Sequence, residues 1–329
     1  MRAALYKQYG SIENMVVEDI PSPRAGMGEL VVSVKAVGLS FPDVLVVQNK
    51  YQFKPELPFS PGFEFAGIVK EAGGGVSGFK PGDHVMGRGY QSCREELAVK
   101  AGQLWRIPAG MDFDVAAGFG MNYATTYHAL KDRAELQPGE TLLVLGASGG
   151  VGLAAVEIGK LMGAKVIACA STRGKLDTCK RFGADDLVNY ETQDLRAEIK
   201  RITGGRGVDV CYDPVGDKFA EPAVRSMAWG GRFLVIGFAG GEIPKIPLNL
   251  VLLKGCALVG VFWGDFARRE PERGYQNTVE LIKLVAEGKL KPLISATYPL
   301  DQTGRALADL LTRKVQGKIV VTTERVKRP

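Results

Sequence analysis

Residues 146–152 read GASGGVG, set between the apolar run ETLLVL (140–145) and the stretch GLAAVEIGKLMG (152–163). The run before it is short and almost continuously apolar, as expected of a strand buried on both faces. The stretch after it carries apolar residues at helical spacing and closes on glycine. A glycine-rich turn between a strand and a helix lets the backbone approach a pyrophosphate. The helix start beyond it offers free N–H groups and positive dipole charge. In this reading Gly149 meets phosphate and Gly152 lets helix and strand pack closely. Ala147 stands where the G-x-G-x-x-G pattern has its first glycine, which a methyl tolerates if the turn needs no positive φ there. Ala147, Ser148, Gly149, Gly150, Val151 and Gly152 are therefore the candidate dinucleotide cradle.

A second stretch, GGGVSG (73–78), matches that pattern letter for letter. It is followed by FKPGDHV, in which Pro81 and Gly82 make a turn, so no helix starts at Gly78. It is read as a turn between β-strands. The context of the first stretch outweighs the spelling of the second.

The texture of the chain changes along its length. Residues 1–120 hold β-branched runs such as ELVVSVKAVGLS and EFAGIVKEAGGGV, separated by Gly/Pro turns. From about residue 130, strands and helices alternate. The expected strands are ETLLVLG, AKVIACA, DLVNY, VDVCYDPVG, RFLVIGF and CALVGVFWG. The helices between them include RGKLDTCKRFGA, LRAEIKRITGG and EPAVRSMAWGG. Six strands at this rhythm predict a doubly wound parallel sheet, because parallel neighbours need a crossover that a helix supplies. A late helix, NTVELIKLVAEG, and a closing strand, GKIVVTT, return to the first domain in this reading. The predicted boundaries are 1–121, 122–263 and 264–329, an α/β protein with a β-rich first domain.

The end of the second strand bears on the cofactor. A carboxylate there would grip a ribose 2′-hydroxyl. The sequence instead has CASTRGK (169–175), with Ser171, Arg173 and Lys175 and no acid. Hydroxyl and cationic groups suit a 2′-phosphate, so NADPH is expected over NADH.

Of the 329 residues 46% are hydrophobic and 24% charged, and the formal net charge is +6. The basic residues are scattered among acids, as in LRAEIKRITGGR (195–206), so nucleic acid is not an expected partner. MRAALYKQYGS lacks the apolar core of a signal peptide, and no run approaches the roughly 18 residues of a membrane span. The five cysteines have no C-x-x-C spacing, and a cytoplasmic protein is expected.

With these parts read, the chain resembles the zinc-free quinone oxidoreductase (zeta-crystallin-like) branch of the medium-chain dehydrogenase/reductase superfamily. The resemblance covers essentially the whole chain. It is carried by VGLSFPDVLVVQNKY (37–51), PFSPGFEFAGIV (58–69), GDHV (82–85), NYATTYHAL (122–130), GASGGVGLAAVEIGK (146–160), GADDLVNY (183–190), DPVG (213–216) and GKIVV (317–321). It implies a GroES-like catalytic domain split around a Rossmann domain, an active site in the cleft between them, and a homodimer with CALVGVF at its edge. It also implies roles. Asp43 matches the family's N-F-x-D segment, with Ser40 in place of the usual Asn. Tyr51 matches a cleft tyrosine and Thr125 a residue near the nicotinamide carboxamide. Ser171, Lys175 and Tyr190 match the 2′-phosphate pocket. Phe238, Phe262 and Lys318 fall in segments that line the cofactor.

Zinc-dependent relatives have a cysteine in the 37–43 segment and a histidine directly before the glutamate that matches Glu64. Here those positions are Ser40 and Phe63, the only histidines are His84 and His128, and no metal is expected. Glu64, left over from that pattern, is read as a structural hydrogen-bonding residue. Without a metal Lewis acid an unactivated alcohol is a poor substrate. The expected activity is hydride transfer from NADPH to a quinone or an α,β-unsaturated carbonyl, with Tyr51, or a water held by Ser40 and Asp43, as donor to the developing oxyanion. The alternatives are an enoyl-thioester reductase and a low-turnover NADPH-binding protein, since some relatives serve as lens proteins, bind RNA or act at membranes.

Overall fold

The computed structural model describes residues 1–324, which divide into two compact units. The first takes Met1–Met121 and the stretch from Pro292 onward; the second takes Asn122–Lys291.

The first unit opens with a hairpin of β1 (Arg2–Tyr6) and β2 (Met15–Asp19). Its main sheet is built on β3 (Glu29–Leu39), an eleven-residue strand of alternating and continuous apolar character. Helix α1 (Phe41–Val47) follows at once, with Ser40 as its cap and Pro42 in its first turn, where a missing N–H costs nothing. Then come β4 (Glu64–Ala72), β5 (His84–Arg88), β6 (Glu96–Lys100) and β7 (Leu104–Arg106). Helix α2 (Phe113–Tyr127) contains the division between the units. The literal glycine match sits in the turn after β4, where Gly75 and Gly78 have φ of +75° and +83°. No helix follows it.

The second unit runs β8 (Thr141–Val144), α3 (Gly150–Leu161), β9 (Lys165–Ala170), α4 (Arg173–Arg181), β10 (Asp186–Asn189), α5 (Leu195–Ile202), β11 (Val208–Asp213), α6 (Asp217–Arg225), β12 (Met227–Val235), α7 (Leu248–Lys254) and β13 (Ala257–Gly260). All six strands are parallel, in the order β10-β9-β8-β11-β12-β13. Numbered from β8, that order is 3-2-1-4-5-6, the doubly wound arrangement of dinucleotide-binding sheets. The architecture is the expected one: a β-rich domain with a Rossmann-type parallel sheet.

Two details differ from the sequence reading. The helix expected over EPAVRSMAWGG stops at Arg225, and Met227 already pairs with Val208 in β12. The register then shifts between Val208 and Val210, and the intervening segment leaves Trp229 84% exposed. The return expected at residue 264 lies instead at 292. Helices α8 (Trp263–Arg269) and α9 (Pro271–Ala286) belong to the second unit. Side chains hold them there. His128 stacks on Phe266 at 3.8 Å, Asp132 accepts from Arg273 and Asn277, and Glu280 accepts from Tyr127 and Lys131.

After the return, β14 (Ile294–Pro299), α10 (Thr303–Leu311) and β15 (Lys318–Thr322) complete the first unit. Its seven-stranded sheet has the order β14-β15-β3-β4-β5-β7, with β6 also on β3. Strand β15 pairs antiparallel with β3 from Ile319 opposite Leu39 to Thr322 opposite Ala36. That pairing carries Lys318 to the end of β3 where Ser40 begins α1. Leu30, Val32, Leu39, Val44, Phe65, Ile319 and Val321 lie in the core beneath.

Candidate active site

In the second unit the glycine loop leaves the end of β8 and enters α3 with Gly149 as its cap residue. No side chain caps this helix, although a polar cap is the usual way to satisfy first-turn N–H groups. A Cβ built on Gly149 would meet only the Gly146 carbonyl oxygen at 3.4 Å, so the space in front of the helix is open. At Gly152 a Cβ would lie 2.3 Å from that same oxygen and 2.8 Å from Ala147 Cα. The residue with positive φ is Gly146, at +58°, and not Ala147. Ala147 is wholly buried and donates its N–H to the Cys169 carbonyl at 2.9 Å. Ser148 is buried beside it, while Gly150 and Val151 are half-buried. An open, uncapped helix start after a glycine turn fits the pyrophosphate of a dinucleotide.

The turn after β11 supports this loop. Asp213 is 2% exposed and accepts the N–H groups of Val215 and Gly216, each at 2.8 Å, through one oxygen. Burial pushes its carboxyl up to about 6 against those two bonds. Val215 in turn lies where a Cβ on Gly146 would be, at 2.8 Å. Thr126 on α2 reaches the Val151 carbonyl and shares a hydrogen bond with the Tyr212 hydroxyl at 2.9 Å. The expected Thr125 is its half-buried neighbour. Nothing in the letters of the TT pair separates these two roles.

At the end of β9, Lys175 Nζ donates to Ser171 Oγ at 3.3 Å, and Thr172 caps α4. Arg173 is exposed and paired with Asp177 one turn on, at 2.8 Å. Tyr190 packs its ring on Phe219 at 4.2 Å, and Lys218 Nζ lies 5.0 Å from the Phe219 ring centroid. Phe238 and Phe262 are both exposed.

The remaining candidates gather in the first unit. Asp43 is 1% exposed and takes the N–H groups of Ser40 and Gly62 on its two oxygens, each at 2.8 Å. Burial pushes it up to about 6, opposed by those bonds and the nearby Lys318 charge. It ties the start of α1 to the Gly62 turn. Lys318 Nζ donates to Ser40 Oγ and to Glu64 Oε1, the latter at 2.5 Å. The other Glu64 oxygen accepts the Met121 N–H at 2.7 Å. Both partners of the ion pair are almost wholly buried. Glu64 is thus a hydrogen-bonding residue, as expected, and also the counter-charge of a buried lysine. Arg88, opposite Glu64 in the β4–β5 register, lies over the Trp105 ring at 4.7 Å, and burial lowers it to about 10.

Four aromatic rings follow one another beside this cluster. Tyr51 meets Phe63 edge-on at 6.3 Å, Phe63 meets Tyr90 at 5.0 Å, and Tyr90 stacks on Phe53 at 4.1 Å. Burial, with Tyr90 and Asp43 nearby, raises the Tyr51 phenol above its ordinary range. The phenol therefore stays protonated and able to donate.

Ser40 and Phe63 offer no thiolate or imidazole, so the donor set does not fit a catalytic zinc. Among the described residues no group of three or more His, Cys, Asp or Glu is placed to hold a metal ion.

Residues 26–134 match the alcohol dehydrogenase GroES-like domain family and residues 150–283 the zinc-binding dehydrogenase family. The chain is 37% identical to a quinone oxidoreductase-like protein 2 homolog of Nematostella vectensis, over 98% of this chain and 89% of that one. It is 36% identical to the quinone oxidoreductase-like protein 2 of Rattus norvegicus, over 94% and 89%. Among solved structures it is similar to the Escherichia coli quinone oxidoreductase complexed with NADPH. That match has a TM-score of 0.91 at 28% identity and covers 98% of this chain and 100% of the other.

Proposed function

For a chain that belongs to the quinone oxidoreductase branch of the medium-chain dehydrogenase/reductase superfamily, and is an oxidoreductase by that family, we propose an NADPH-dependent, metal-independent reduction of quinones or α,β-unsaturated carbonyls. The observation that carries this reading is the uncapped start of α3 behind an A-x-G-x-x-G turn on the first strand of a 3-2-1-4-5-6 sheet.

The residues divide the work by chemistry. The N–H groups of Gly150, Val151 and Gly152 take the pyrophosphate. Ser171 and Lys175, with Arg173 and Tyr190 at the rim, take the 2′-phosphate, since a hydroxyl beside cations suits a dianion. Thr125, Phe238 and Phe262 line the path to the nicotinamide. The chemistry that bound NADPH supplies is hydride donation. Tyr51 donates a hydrogen bond to the acceptor oxygen as charge develops there, and Asp43 holds the α1 start in place. A planar acceptor suits the run Tyr51, Phe63, Tyr90 and Phe53, because ring faces and edges pack against a flat conjugated ring.

The protein acts as a homodimer. Strand β13 pairs only with β12 among the described residues, and Leu258 on it is partly exposed. Leu248, Leu252 and Leu253 of α7 are more than 70% exposed, an apolar surface that a second copy would cover. Leu252→Lys with Leu253→Lys yields a monomer by light scattering. A cytoplasmic setting suits five unpaired cysteines, four of them buried. No described helix is long and apolar enough to cross a membrane.

The test is steady-state reduction of 1,4-benzoquinone, an enone and a crotonyl thioester, with NADPH and NADH side by side. NADPH and the first two acceptors are expected to win, and Lys175→Ala to shrink the NADPH preference about tenfold. A thousandfold preference for the thioester overturns the acceptor class. Thermal protection by NADPH with no turnover on any acceptor overturns the enzyme.

A further inference from the structure

We infer that Ser40 is a hydrogen-bond donor for a carbonyl oxygen of the reacting ligand, made one-directional by the buried Glu64–Lys318 pair. An ammonium has three N–H donors and no acceptor. Ser40 Oγ must therefore accept from Lys318 Nζ, and its own hydrogen is turned away from the lysine. Among the described residues no side-chain or backbone group accepts that hydrogen. Ser40 is buried but keeps 8% exposure.

The charge is fixed from behind. Glu64 Oε1 holds the ammonium at 2.5 Å, while Oε2 is occupied by the Met121 N–H, so the carboxylate cannot swing toward Ser40. The order Glu64, Lys318, Ser40 then runs from negative to positive to a polarised hydroxyl. A positive charge behind an O–H strengthens the bond it gives to a developing oxyanion. The positive charge comes from Lys318, at the start of β15. No bond is made or broken at Ser40. When the acceptor carbon gains the hydride pair, Ser40 stabilises the oxygen charge and the proton comes from water. Lys318 and Glu64 are positioning residues acting through Ser40. The inference rests on the reductase reading for the identity of the ligand, and on geometry alone for the polarised pair.

Two measurements separate the two. The first is benzoquinone reduction with NADPH by Ser40→Ala, Ser40→Thr, Lys318→Met and the Ser40→Ala/Lys318→Met double variant. Ser40→Ala and Lys318→Met are each expected to lose at least about tenfold in kcat with KM changed less than about threefold. Ser40→Thr keeps the hydroxyl and stays within about threefold. The double variant is no slower than the slower single, because both act through one hydrogen bond. A Ser40→Ala loss below threefold, or a double loss equal to the product of the singles, overturns the inference. The second is thiolate absorbance of Ser40→Cys with and without Lys318→Met, against the wild-type background. The new thiol is expected to titrate at least about one pH unit lower when Lys318 is present. Equal titration overturns the inference whatever the turnover. Absence of any reduction by the wild type overturns the proposed function instead, and the titration still decides the pair.

Discussion

Two glycine-rich stretches in this chain use the same residue for different ends. In GGGVSG, a Cβ on Gly73 would sit 1.9 Å from the Gly26 carbonyl oxygen, and Gly75 and Gly78 take positive φ. In GASGGVG, Gly152 meets the Gly146 oxygen at 2.3 Å, and Gly146 takes positive φ. Each stretch has a glycine that only a missing Cβ allows and a glycine that only a permissive φ allows. They differ in what comes next. The first turns into a strand that satisfies its N–H groups across a sheet. The second turns into a helix whose first N–H groups have no side-chain cap among the described residues. Glycine content therefore reports close approach, and the following element decides whether a ligand completes the turn.

The largest effects should come where backbone blocks the new atom. Gly152→Ala and Gly73→Ala each place a methyl against a carbonyl oxygen and should lose roughly 3 kcal/mol in urea unfolding. Only Gly152→Ala should also weaken NADPH binding of the molecules that stay folded. Equal loss of affinity in both would break the contrast.

The buried carboxylates come next. Asp213 has a folded value near 6, above its unfolded value, so the native state binds the extra proton. Its contribution is fully present below the unfolded value and fades as pH rises through 6. The stability of the wild type relative to Asp213→Asn should fall by about 2–3 kcal/mol between pH 4 and pH 7. A difference that grows with pH would mean the carboxylate is held charged. Asp43, also near 6 and also bound to two N–H groups, should behave alike without touching the glycine loop.

Gly149→Ala sharpens the comparison further. The added methyl meets nothing closer than 3.4 Å, so melting should move by less than about 2 °C. It projects into the open helix start, so NADPH affinity measured by fluorescence should drop about tenfold. The smallest effect belongs to Gly74→Ala, which meets only the flexible end of Met27 at 3.2 Å. It should cost under about 0.5 kcal/mol and leave cofactor binding unchanged.

Much of the Rossmann unit was legible because its signals are local. Six apolar runs separated by helical spacing leave few parallel topologies, and all six became strands of one sheet. Over MAWGG the local pattern misled: helix-compatible residues were taken into β12 because Met227 finds Val208 across the sheet. The late boundary was illegible for a related reason. What keeps α9 in the second unit is a set of polar contacts more than 140 residues apart in sequence, such as Arg273 to Asp132 and Asn277 to Asp132.

Around the catalytic candidates the balance reverses. Asp43 and Ser40 could be read as a helix start, since S-x-x-D is a local capping pattern. Glu64 could be read only as a carboxylate, because its partner Lys318 is 254 residues away and Ser40 lies 278 residues from that same lysine.

What the sequence determined by itself was the strand-turn-helix that presents an uncapped helix start, together with the hydroxyl and cations at the end of the next strand. These follow from backbone sterics and periodicity within some thirty residues. What tertiary structure alone decided was that a lysine on β15 pairs with Glu64 and donates to Ser40. A buried charge needs a counter-charge within a few ångströms, and only the pairing of β15 with β3 brings that lysine there.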